Sequence, residues 1–114
     1  MNIAVVRGVV LRPPTERDLS DGTRLVSIDV SVNYADRPTE SLEVVWMNPP
    51  ASVDLPRQGN EVVAVGRVRR RFFRTTSGTT VGRTEVVADT VLTARQKAKI
   101  NRRLATLMAD LEAV

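Results

Sequence analysis

The stretch Glu61–Ala94, EVVAVGRVRRRFFRTTSGTTVGRTEVVADTVLTA, reads as one long β-hairpin with Ser77-Gly78 at its tip. Successive strand residues point to opposite faces, so Arg67, Arg69, Arg71 and Phe73 share one face of the first arm. Three guanidinium groups beside an aromatic ring suit a single-stranded nucleic acid. The arginines meet phosphates and the ring stacks on a base. The same pattern also describes basic residues that only solvate the outer half of a hairpin. Arg70 and Phe72 fall on the opposite face, where one phenylalanine is expected to be buried and Phe73 to stay available. Arg69 and Arg71 lead the phosphate candidates, ahead of Arg67 and Arg74.

Upstream of the hairpin lie three more strand-like segments. Ile3 to Leu11 is rich in valine and holds Gly8, and a glycine inside a strand marks a bulge or bend. Pro13 and Pro14 end it. Asp21-Gly22 is a turn signal. From Leu25 to Val32 the apolar residues Val26, Ile28, Val30 and Val32 alternate with Ser27, Asp29 and Ser31, which predicts one buried face. A polar loop, Asn33 to Thr39, leads to a third strand over Leu42 to Met47. Its Trp46 is either a base-stacking platform or a core residue, because one step of register exchanges the faces. Residues 48–60 form a connector in which Pro49 and Pro50 suit a first helical turn, while Pro56 stops any helix soon after it. Glu61 to Phe73, bent at Gly66, and Gly82 to Leu92 are the fourth and fifth strands.

A helix is expected to open at Thr93, where Thr93 and Gln96 fit a capping box. Ile100, Leu104, Leu107, Met108 and Leu111 make one apolar stripe at helical spacing. Arg95, Lys99, Arg102 and Arg103 lie on its far side.

Composition excludes several classes. The 114 residues hold no cysteine, so there is no disulfide framework or thiolate metal site. They hold no histidine, which removes the commonest general base and metal ligand. The 13 carboxylates form no recognisable catalytic constellation, so no enzyme, cofactor or small-molecule substrate is expected. No apolar run is long enough to span a bilayer and the first residues lack signal-peptide features, so the expected location is the cytoplasm, without a membrane partner. The net charge is +4. Residues 1–92 carry 12 basic and 11 acidic groups, a net of +1, whereas residues 93–114 carry 5 and 2, a net of +3. The strand region is therefore nearly neutral, with its arginines gathered on one hairpin arm.

Five strands with one long hairpin fit a small barrel, either an OB-fold or an SH3-like barrel, followed by a C-terminal α-helix. The expected organisation is an OB-fold domain over 1–92 and a basic amphipathic helix over 93–114. The OB-fold is a five-stranded Greek-key barrel that commonly binds oligonucleotides.

The order of these pieces resembles the bacterial single-stranded-DNA-binding proteins, the SSB family. Asn2-Ile3 through Arg7-Gly8-Val9-Val10 is similar to that family's opening strand. Asp21-Gly22-Thr23 followed by Val26 to Asn33 resembles its second strand, and Glu43-Val44-Val45-Trp46 its third. Gly59, Val63 to Val68, Arg69, Arg71, Phe73, Gly78 and Thr84 to Asp89 follow the fourth and fifth. The resemblance covers about residues 2–92. It implies an OB-fold that binds single-stranded DNA without sequence preference and without chemistry, as a homo-oligomer, tetramer or dimer. It also implies Trp46 and Phe73 as base-stacking residues, with Arg69 and Arg71 on phosphates. Tyr34 stands where family members often carry another stacking aromatic. The chain departs from the family in ending on a basic helix instead of a disordered linker with an acidic tip. Replication, repair and recombination are the processes such a protein serves. The alternative is an OB-fold accessory module of a primosome-like type, whose main role is protein–protein interaction.

Overall fold

The computed structural model describes residues 1–113. Its strands are β1 (Ala4–Val10), β2 (Thr15–Asp18), β3 (Arg24–Val32), β4 (Glu40–Met47), β5 (Glu61–Arg74) and β6 (Thr80–Thr93), followed by helix α1 (Lys97–Glu112). β1 pairs antiparallel with β5 along most of its length and, through Val9 and Val10, with β3. β3 pairs antiparallel with β4, β4 pairs parallel with β6, and β6 returns antiparallel to β5. The circuit β1-β3-β4-β6-β5 closes on itself, which is the five-stranded OB-fold barrel expected from the sequence.

Alternation decides the core. Val26, Ile28 and Val30 of β3 meet Val44 and Trp46 of β4, Val62 and Ala64 of β5, and Val86, Ala88 and Val91 of β6. Two glycines let the walls close. A Cβ on Gly8 would sit 2.4 Å from the Ser31 carbonyl oxygen, where β1 crosses onto β3. A Cβ on Gly66 would sit 1.9 Å from the Val87 carbonyl oxygen. Here Val65 faces Thr90 and Gly66 faces Ala88, so Asp89 is an extra residue on β6, a bulge that bends the hairpin out of the barrel.

Two features differ from the sequence expectation, β2 and the start of α1. β2 is an additional strand, pairing Thr15 to Asp18 with Ser27 to Arg24. All four of its residues are exposed, so it has no apolar face for periodicity to reveal. The connector 48–60 forms turns, and its Val53 and Leu55 pack against the core. α1 begins at Lys97, four residues after the expected start. The Thr93 N–H does donate to Gln96 Oε1 at 3.0 Å, but the reciprocal bond of a capping box is missing and the contact closes a turn before the helix. α1 buries none of its residues fully. Arg103 pins it to the β6 bulge, donating from Nη2 to both Asp89 carboxylate oxygens at 3.2 Å and from Nε to Thr90 Oγ1 at 3.2 Å.

Candidate nucleic-acid interface

Beyond the bulge, β5 and β6 are in simple register. Arg67 faces Val87, Arg69 faces Glu85, Arg71 faces Arg83, and Phe73 faces Val81. Across the parallel pairing, Val45 of β4 lies beside Val87 and Glu43 beside Glu85. Ser27 of β3 adjoins Val45, and β2 places Arg17 beside Leu25. These outward residues build a groove on the barrel's exterior. It contains a 430 Å³ cavity whose lining includes Arg17, Ser27, Glu43, Arg69, Arg71 and Arg83.

The groove floor is an ion-pair cluster. Arg69 donates to Glu85 Oε1 from Nε at 2.9 Å and from Nη2 at 2.5 Å, and Arg71 Nε stands 3.6 Å from the same oxygen. The Glu85 side chain is fully buried, at 0% exposure. Burial pushes its carboxyl pKa up, but the hydrogen bonds from Arg69 and the charges of Arg69 and Arg71 outweigh this, holding it below the ordinary value. Glu43 accepts from Ser27 Oγ at 2.7 Å and lies 4.0 Å from Arg71 Nη2. Glu85 Oε2 and Glu43 Oε1 are buried without a hydrogen-bond partner. Arg69 and Arg71 thus share one buried carboxylate, yet roughly two-fifths of each side chain stays open to the groove.

The structure gathers some of the predicted residues and separates others. Arg67, Arg69, Arg71 and Phe73 share one face, whereas Arg74, beside Thr80 at the outer end of β5, alternates onto the opposite face with Arg70 and Phe72 and does not join them. Trp46 does not join them: it is 4% exposed and belongs to the core, in the Val26–Trp46–Ala88 row. That register leaves Val45, not Trp46, on the groove side, so Trp46 is unavailable as a platform. Tyr34 lies in its own loop, donating to Glu40 Oε2 at 3.1 Å with Arg37 stacked 4.8 Å from its ring centroid, and is not part of the groove lining. Both hairpin phenylalanines are exposed, Phe73 at 39% and Phe72 at 64%. The expectation that one would be buried fails because the hairpin projects past the barrel, where neither face meets a core. Phe72 packs with Arg70 on the opposite face, the guanidinium 5.3 Å from its ring centroid.

Two groove residues escaped the sequence reading. Arg83 stands directly opposite Arg71 and 5.7 Å from the Phe73 ring centroid. Counting back from the Gly78 tip would have found it, because hairpin register follows from the turn. Arg17 sits on β2 and had no signal. Among the described residues neither has an ion-pair partner. No group of three or more potential metal ligands gathers among those residues.

No family model matches this sequence, and no curated protein matches it. The fold is similar to that of the Plasmodium falciparum SSB solved in complex with ssDNA, with a TM-score of 0.70. The alignment covers 82% of this chain and 94% of that one at 19% identity, and it supports an SSB-like OB-fold.

Proposed function

We propose that this protein binds single-stranded nucleic acid, DNA in the first instance, along the outer groove of its OB-fold, by phosphate contacts and base stacking and with no chemistry. One observation carries the reading: Arg71 and Arg83 lie directly opposite each other on neighbouring strands, beside Phe73. Like charges in that position destabilise a sheet, and an anion between them relieves the repulsion. Of the arginines lining the groove, Arg17 and Arg83 have no carboxylate partner among the described residues. Arg69 and Arg71 offer the N–H donors that Glu85 leaves unused. Phe73 supplies the stacking ring.

Fluorescence anisotropy with a labelled thymidine oligomer, across a salt series and against duplex competitor, tests this. Binding is expected to resist duplex, and the log–log salt slope should fall by about 0.7 in magnitude for Arg83→Gln, one phosphate contact on a single strand. No binding at micromolar protein, or displacement by equimolar duplex, overturns it.

The assembly role is favoured by a different observation. Val5 of β1 and Met108 and Leu111 of α1 are exposed apolar residues. A homo-oligomer would cover them, and sedimentation analysis reads that directly.

A further inference from the structure

The basic residues do not stop at the groove. Arg71, Arg69 and Arg67 follow one another at alternate positions along the outward face of β5, about 7 Å apart per step. Arg67 and Arg103 both line a second cavity of 310 Å³, with Met47, Val87 and Leu107 between the sheet and α1. Arg103 in turn shares a third depression with Lys99 and Arg102, over Thr90 and Leu92. Three neighbouring concavities therefore join the groove to one face of α1.

The charges along this path are unequal. Arg69, Arg71 and Arg103 are each committed to a carboxylate of the protein. Among the described residues, Arg67, Lys99 and Arg102 have none. In α1 three and four residue steps share a face, so Lys99, Arg102, Arg103 and Thr106 form one side of the helix. The acidic residues of α1, Asp110 and Glu112, come only at its end. Since Arg103 anchors α1 to the bulged Asp89, the helix is held at the end of the track with its free cations outward.

We propose that this face of α1 is a second phosphate-contacting surface: a single strand leaving the groove passes Arg67 and continues over Lys99 and Arg102. The inference rests on the groove reading above, which concerns Arg17, Arg69, Arg71, Arg83 and Phe73. Backbone contact through unpaired cations reads charge and not sequence, so the extension adds length to the bound site without adding base preference.

The test uses the full chain and two thymidine oligomers. One has about 8 nucleotides, within the range of roughly 4–16 that a single OB-fold covers, and the other is about three times as long. For Lys99→Gln/Arg102→Gln, the log–log salt slope with the long oligomer should become shallower by about 1.4, two phosphates' worth, while the short oligomer binds as before. Arg83→Gln should instead weaken both. If the double variant leaves the long-oligomer slope unchanged while the wild type binds both oligomers, the α1 surface is overturned and the groove reading stands. If the double variant weakens both oligomers equally, the helix is not an extension and the inference also fails. Wild-type protein that binds neither oligomer removes the groove reading and this one with it. Unchanged circular dichroism and unfolding midpoint in the double variant show that any loss comes from the removed charges.

Discussion

Arg69 donates two hydrogen bonds to a single oxygen of Glu85, a carboxylate 16 residues away in sequence and wholly buried, while its own side chain remains partly open to the groove. The pair is therefore lopsided. Removing the arginine strands a buried charge, whereas removing the carboxylate frees a guanidinium that solvent already screens. Arg69→Ala is expected to cost about 2–3 kcal/mol, moderated by Arg71 at the same oxygen, and Glu85→Gln about 1–2 kcal/mol. Urea unfolding of the two variants decides the order; equal losses would mean that Glu85 is not the buried partner.

The same carboxylate sets an acid limit. Its pKa lies below the ordinary 4.5, so the folded state holds the ionised form more tightly than the unfolded chain does. This contribution is complete above about pH 4.5 and is lost as the pH falls through the lower folded value. The stability gap between wild type and Glu85→Gln should therefore be full at pH 7 and narrow steadily in acid. A gap that persists undiminished at pH 2 would contradict the sign.

The aromatic residues separate by face. Phe73→Ala should weaken oligomer binding by about 1–3 kcal/mol with little change in stability. Phe72→Ala, on the opposite side of the arm, should leave affinity unchanged. Trp46→Ala should do the reverse of Phe73→Ala, costing about 3–5 kcal/mol of stability because it empties the core. The intrinsic fluorescence of Trp46 should be blue-shifted, shielded from acrylamide and insensitive to bound oligomer. Strong quenching by thymidine oligomers would place Trp46 on the wrong side of β4.

Gly66 has no room for a side chain. Gly66→Ala drives a Cβ into the Val87 carbonyl, a backbone atom that cannot turn aside. The expected loss is about 3 kcal/mol or more, at the upper end for overpacking, with the hairpin displaced relative to the barrel. Gly78→Ala, which meets nothing within 4 Å, is the comparison and should cost about 1–2 kcal/mol for its left-handed backbone. Similar losses for the two variants would remove the close approach at the bulge as the reason.

Much of the fold was legible because its signals are local. The alternation of Val26, Ile28 and Val30, the turn at Asp21-Gly22 and the tip at Ser77-Gly78 depend only on strand periodicity and turn chemistry, and they placed five strands and the shared face of Arg67, Arg69, Arg71 and Phe73. What the chain could not reveal by itself depends on which strand lies beside which. β2 exists because the start of β3 offers it a ladder, not because Thr15 to Asp18 have an apolar face. Trp46 went inward because its partners Val26 and Ala88 do, a matter of register. The arginines carry their charge wherever the strand runs, but their commitment to Glu85 and the freedom of Arg17 and Arg83 were settled only when distant strands came together, since ion pairs form through space and periodicity acts along the chain.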